Sequence, residues 1–343
     1  MDQSKVLIWR KEARVQAVIN QKHVQELKWM FGNYCTCEVV KKLENDIWTV
    51  FEEKKFYQKG EKDNLIREKS PDGPDNVVLL NKDKKSIIIA QGDARWNLFY
   101  TFRMVRNLLR WSIYDESVAF FHGGAVEING SAIAFLGNKK AGKTSSILSM
   151  IIAEHANYIA NDDLMLSFEE RIWAYGWPRT LSVRKDAISM MGMKNEHHFS
   201  NESHPSNVYL RENGCNSENE YFFPIEISRL GNVDIIPKAE LKIVIFTEFD
   251  ENVRGIPEIM ELETEVMKKK LLENFRVEPE KYCAFLREYF EIPNEKIILK
   301  KIDILCNSIK AYKIKQSFNQ LDKTSKCIRE LLEMEGNLNE KEI

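Results

Sequence analysis

The spacing of apolar residues changes several times along this chain, and each change marks an element. Residues 6–19 (VLIWRKEARVQAVI) read as strand-like stretches and 24–30 as a short helix. Residues 48–56 and 86–91 are β-rich, whereas 61–76 is polar and holds Pro71, Gly73 and Pro74, which predicts a surface loop. From 94 to 113 the apolar residues fall at roughly helical spacing, with Arg103, Arg106 and Arg110 interleaved. This predicts a helix leading out of a mixed α+β region, 1–115. Its arginines are expected on a solvated face, and Trp96, Phe99, Tyr100 and Phe102 in a core or domain interface.

The pattern is sharpest between 116 and 190. Residues 118–128 (VAFFHGGAVEI) are β-like, Asn129-Gly130 follows, and 131–136 (SAIAFL) is β-like again. Asn-Gly between two apolar runs is a strong hairpin signal, because both central residues of a type I′ turn take positive φ. A helix is predicted over 144–154. Strands at 157–160 and 164–168 flank Asp162-Asp163, and 172–176 returns after a polar turn. Residues 193–220 are polar and predict a long loop or lid. Beyond it, 241–246 (LKIVIF) is a buried strand, 261–275 and 281–290 are helical, 311–318 is β-like and 323–333 is a final helix.

Length and composition narrow the class without naming a function. At about 150 residues per domain, 343 residues make about two domains. An apolar share of 43% with 30% charged residues excludes a wholly disordered or collagen-like chain. A net charge of -2 gives no global basic excess, so no nucleic-acid partner is expected. The six cysteines are too thinly spread for a disulfide framework. The N-terminus has no apolar signal region, and no apolar run approaches the ~20 residues that cross a bilayer. A soluble, cytoplasmic protein with reduced thiols and no membrane partner is the expectation.

The chemistry concentrates after residue 136. Gly137-Asn138-Lys139-Lys140-Ala141-Gly142-Lys143-Thr144 fits G-x-x-x-x-G-K-[ST], and Ser145 follows. Glycine lets backbone N–H groups curl around phosphate oxygens, Lys143 offers a point charge to the β and γ phosphates, and the Thr144 hydroxyl suits Mg2+. The helix beginning there aims its positive end at the anion. Chance alone gives such a match on the order of once in a hundred chains of this length, and here it sits where a strand ends and a helix begins. Asp162 and Asp163 close the next short apolar strand. A kinase needs one carboxylate for Mg2+ and often a second for the acceptor hydroxyl, and adjacent acids can supply both. A solvated turn or helix cap is the plainer reading of such a pair.

With these marks in view, the stretch 121–184 resembles the catalytic domain of HPr kinase/phosphorylase and its relatives, including the kinase-like enzymes that phosphorylate lasso precursor peptides. The shared marks are His122-Gly123 on a strand, the turn at Asn129-Gly130, the loop 137–144 and Asn161-Asp162-Asp163. A hairpin running into the loop is the arrangement of the HPr kinase and phosphoenolpyruvate carboxykinase group. The resemblance implies a mixed-sheet catalytic domain over 116–335, within which the polar segment 193–220 is expected as a flexible loop or lid. It implies that Lys143 binds phosphate, that Asp162 is the base with His122 beside it, and that Asp163 and Thr144 sit near Mg2+. The assignment within the Asp pair stays open. Two departures stand out. Lys139-Lys140 replaces the usual Ser-Gly, and no phosphorylase-linked signature follows.

Arg179 and Arg184, in WPRTLSVRK, are candidates to hold the transferring phosphoryl group or an anionic acceptor, with a surface role as the plainer reading. His197, His198, His204 and Cys215, and separately Cys35-x-Cys37, do not fit standard zinc spacing. The expected function is ATP-dependent, Mg2+-assisted transfer of the γ-phosphate to a hydroxyl of a peptide, protein or small metabolite, and a homo-oligomer is compatible with it. The alternative is a nucleotide-binding switch or ATPase subunit without transfer.

Overall fold

Largely buried, apolar-rich runs form strands β1 (Gln3–Arg10) and β2 (Ala13–Asn20), which pair antiparallel. Helix α1 (Val24–Phe31) and strand β3 (Thr36–Val40) follow. β4 (Thr49–Phe51), β5 (Asn64–Glu68), β6 (Asn76–Asn81) and β7 (Ser86–Ile89) complete a seven-stranded mixed sheet in the order β3-β1-β2-β4-β7-β6-β5 among the described residues. The loop expected over 61–76 thus contains an edge strand, β5, a short segment with only Leu65 and Ile66 apolar and no buried position to mark it. Helix α2 (Ala94–Ser112) is capped by the Asp93 carboxylate, which accepts from Arg95 N and Trp96 N. The computed structural model describes residues 3–57, 63–90, 92–114, 117–191, 204–276, 283–291 and 294–339.

The stretch 118–128 is two strands, β8 (Val118–Phe121) and β9 (Gly123–Ile128), broken at His122. β10 (Ser131–Leu136), α3 (Lys143–Ala153), β11 (Asn157–Ala160), β12 (Leu164–Phe168), β13 (Ile172–Tyr175), β14 (Leu181–Arg184) and α4 (Lys185–Met190) come next. α5 (Pro205–Glu212) lies within the expected loop 193–220 and β15 (Asn219–Phe222) begins in it, so part of that segment is regular structure; residues 192–203 lie outside the described residues. α6 (Pro224–Gly231), β16 (Lys238–Phe249), β17 (Glu258–Glu261), α7 (Thr264–Asn274), α8 (Glu295–Ser308), β18 (Lys310–Gln316) and α9 (Leu321–Asn339) finish the chain. The second sheet has nine strands among the described residues, in the order β11-β9-β10-β16-β13-β12-β8, with β18 on β16 and β17 on β18. The molecule is mixed α/β, and Ala134, Leu136, Val244, Phe246 and Ala311 belong to the core of this sheet.

The chain divides into two compact units, 1–114 with 201–217 and 278–292, and 115–200 with 218–277 and 293–343. The first unit is therefore discontinuous, and this explains a difference from expectation. Arg103, Arg106 and Arg110 are 8%, 8% and 0% exposed, not solvated. α5 packs on α2, with Tyr209 edge-on to Trp96, and Phe290 stacks on Trp111. Arg103 lies over the rings of Phe99 and Tyr100, and Arg106 over Phe102, a cation–π arrangement favoured where the charge is desolvated. Trp96, Phe99, Tyr100 and Phe102 are buried, as the helical spacing predicts.

His204 is buried at the start of α5, where its Nδ1 accepts from Ser206 N at 3.2 Å and its ring meets Phe99 edge-on. Burial, reinforced by the Arg103 charge, pushes its pKa down to about 3. The unfolded chain takes up a proton near pH 6.5 that the folded chain refuses, so stability is full above that pH and falls as pH drops towards 3. A loss of about 2 kcal/mol is expected by pH 5. Urea midpoints across that range measure it. His204→Asn keeps a capping oxygen and should flatten the slope; an unchanged slope would reject the assignment.

Candidate functional site

Asn129 and Gly130 have φ of 51° and 84°, so the β9–β10 turn has the two left-handed residues that a type I′ turn requires. β10 runs parallel to β16, and β16 parallel to β18, with Leu136 beside Phe246 and Phe246 beside Lys313. The three strands therefore end on one side of the sheet, where open α/β sheets bind ligands. The loop from β10 to α3 needs glycine twice. Gly137 has φ 145° and Gly142 φ 92°, and a Cβ would come within 3.0 Å of Thr247 O at the first and 2.8 Å of Gln316 Nε2 at the second.

Lys143 is buried at the first position of α3, and its ammonium donates to Gly137 O at 2.8 Å and Asn138 O at 3.0 Å. The charge lies within the curl of the loop. Asn138, Lys139 and Lys140 are exposed at its tip, Lys140 with φ 68°, while Ala141 N donates to Asn138 O and Ser145 is buried in the first turn of the helix. The Thr144 hydroxyl donates to Asn161 Oδ1 at 3.2 Å, which ties the start of α3 to the end of β11. Asn161 is buried, and its Nδ2 has no partner among the described residues.

Asp162 and Asp163 follow directly. Asp163 is buried and Asp162 half-buried with φ 64°, a left-handed conformation that Asp and Asn tolerate best among residues with a side chain. Gly124 makes this approach feasible. A Cβ there would lie 2.3 Å from Ala160 O and 2.9 Å from Asn161 Cα. Gly124→Ala is expected to cost about 1–3 kcal/mol, lowering the thermal midpoint by several degrees; an unchanged midpoint would show that the strands can part freely.

His122 is half-buried at the break between β8 and β9. Phe121 pairs with Leu164 and Gly123 with Leu136, so the residues beside His122 are in register with those beside Asp163 and Gly137. The structure thus brings together His122, the loop, Thr144 and the Asp pair. Arg179 joins them, donating through Nη1 to Asp162 O at 3.3 Å. Arg184 does not: it is exposed and paired with Asp186, which lowers the Asp186 pKa.

Four contributors carry no sequence signal beyond a polar or aromatic residue in or beside an apolar element. Thr247 Oγ1 donates to Leu136 O at 3.5 Å, Gln316 Nε2 donates to Ser146 Oγ at 2.7 Å, and Asn274 Oδ1 accepts from Gly137 N at 3.2 Å. Tyr158 is the fourth. Its hydroxyl is buried with no partner among the described residues, and burial followed by the Asp162 charge holds its pKa well above the usual range, Arg179 opposing.

The donor set suits a magnesium-bound nucleotide. The cradle excludes Cβ atoms, an ammonium lies within it, and the Thr144 hydroxyl reaches Asn161, the residue directly before Asp162 and Asp163; magnesium carried on phosphates needs only one or two protein ligands. The described residues hold no group of three or more His, Cys, Asp or Glu side chains placed to bind a metal. Cys35 and Cys37 have thiols raised to about 12 by burial, His204 caps α5, Cys215 is exposed, and His197 and His198 lie outside the described residues. No helix among the described residues is long and apolar enough to cross a membrane.

No protein-family model matches the chain, and no curated protein matches it. Among solved structures it is similar to the Hpr(Ser) kinase/phosphatase from Coxiella burnetii, at 10% identity over 65% of this chain and 98% of that one, with a TM-score of 0.29. That distant likeness is too slight to carry an argument about function.

Proposed function

We propose that this chain is an ATP-dependent phosphotransferase acting on a hydroxyl acceptor, built on an HPr kinase-like catalytic domain. The observation that carries the reading is the glycine-flanked loop whose own lysine is folded onto its carbonyls, one hydrogen bond from the residue that precedes two carboxylates. The motif resemblance of 121–184 points the same way.

In this reading Lys143 exchanges the two loop carbonyls for β- and γ-phosphate oxygens, and amides of the loop and the first turn of α3 complete the cradle. Thr144 and one Asp hold Mg2+, which when bound neutralises charge on the phosphates. Asp162, the more exposed of the pair, takes the acceptor proton, and Asp163 serves the metal. His122 stands beside them, and Arg179 adds positive charge near the transferring group. Such transfer needs positioning and charge neutralisation, not a covalent nucleophile. The acceptor is a peptide, protein or small metabolite hydroxyl.

Isothermal titration with Mg·ATP, followed by γ-labelled ATP in the presence of hydroxyl-bearing peptides and metabolites, tests the reading. One-site binding with label moving to an acceptor is the expected result. Binding with slow hydrolysis and no transfer would turn the reading to a nucleotide-sensing switch. No binding up to millimolar nucleotide would end both.

A further inference from the structure

Helix α7 ends at Asn274, far along the chain from the phosphate loop, yet this residue touches two parts of the site at once. Its Oδ1 accepts from Gly137 N at 3.2 Å, its main-chain oxygen accepts from His122 N at 2.7 Å, and its Nδ2 donates to Lys270 O at 2.8 Å. It is 3% exposed. The residues after it continue along β8: Phe275 bridges Phe121 with rings 5.6 Å apart and edge-on, and Arg276 N donates to Phe120 O at 2.8 Å.

Each bond has a structural consequence. Gly137 sits at φ 145° with Thr247 O close behind its Cα, so its conformation is one few other residues adopt, and its amide must face inward. A buried amide without an acceptor costs about 1–3 kcal/mol, and Asn274 supplies that acceptor. The Gly137 amide therefore anchors the loop to the frame, and the phosphate-facing donors are the amides beyond it together with Lys143. The same side chain is fixed by its back-bond to Lys270, so the loop's starting point is referred to a rigid helix end. Through the main-chain oxygen, the bend at His122 is referred to that same end.

We propose that Asn274 is a positioning residue for the nucleotide site, locking the first residue of the phosphate loop and the His122 bend into one frame. The inference rests on the nucleotide-binding reading above. A residue that merely terminates α7 would support the same fold, and the two roles separate in experiment. In Asn274→Ala the main-chain bond to His122 survives and the Gly137 amide loses its acceptor. In Asn274→Asp an oxygen remains for Gly137, while the Lys270 carbonyl loses its donor and meets a carboxyl oxygen instead.

Hydrogen exchange of the Gly137 amide should be slow in the parent, accelerated at least about tenfold in Asn274→Ala and slow again in Asn274→Asp. Titration with Mg·ATP well below the melting temperature should show affinity weakened at least about tenfold in Asn274→Ala. Slow exchange at Gly137 in the Ala variant, or affinity within about threefold of the parent despite a lower melting temperature, leaves only a helix-end role and overturns the inference. Failure of the parent protein to bind Mg·ATP is a different result. It removes the nucleotide reading itself and the positioning role with it.

Discussion

Replacing Lys143 by Ala is expected to lower phosphoryl transfer from ATP at least about a thousandfold, equivalent to ~4 kcal/mol of transition-state stabilisation, while the protein stays folded. The size follows from where the charge sits. The ammonium is buried and held by two carbonyls of the loop, at 2.8 and 3.0 Å. It is desolvated before any ligand arrives, so it spends little on reorganisation when phosphate oxygens replace those carbonyls. A charge in such a place acts far more strongly than one in water. The cost to the fold is smaller. Two carbonyls lose one donor, a change of about 1–2 kcal/mol, and the glycines, Thr247, Gln316 and Asn274 still shape the loop. Steady-state transfer and a melting curve on the same preparation check both halves. Full transfer by the Ala variant would remove the site from this loop. Lost transfer together with a collapsed melting transition would show instead a lysine needed for folding.

Local chemistry accounts for the parts of this site that a reader of the sequence can see. Asn129-Gly130 makes its turn wherever two apolar runs flank it, glycines 137 and 142 mark a backbone that side chains would obstruct, and the short apolar run Tyr158-Ile159-Ala160 followed by Asn161-Asp162-Asp163 announces a strand with acids at its end. These statements need only neighbours within a few residues. The break at His122 is different. Residues 118–128 form one apolar run, and they divide because β8 pairs with β12 whereas β9 pairs with β10 and β11. Partner choice of that kind is not written in spacing.

Distance along the chain hides the rest. The bonds that fix the loop join residues 111, 137 and 170 positions apart. They exist because β10, β16 and β18 run parallel and because α7 returns to the edge of β8. The buried arginines of α2 teach the same lesson in the other unit. Helical spacing with interleaved charge describes an amphipathic surface helix, and α5 with Phe290 supplies cover that turns it into a core helix.

The Asp pair carries the second large effect, and its two members are expected to fail in different ways. Asp162→Asn is the cleaner substitution, because position 162 has φ 64° and Asn tolerates that conformation where Ala would add strain. It removes the group that takes the acceptor proton and leaves the cradle intact. Transfer should fall about a hundredfold to ten-thousandfold, with affinity for Mg·ATP within about threefold of the parent. Asp163→Asn alters a buried carboxylate beside the Phe121–Leu164 pair, next to the strand end that also holds Thr144 through Asn161. Here the Mg2+ concentration needed for half-maximal nucleotide binding should rise at least about tenfold. Titrations at several Mg2+ concentrations, run beside transfer assays, separate the two. If the Asp162 variant shows the magnesium effect and the Asp163 variant the pure loss of transfer, the roles are exchanged. If neither variant changes transfer or magnesium demand, the acids serve only to shape the turn between β11 and β12, and the chemistry proposed for this sheet edge is lost with them.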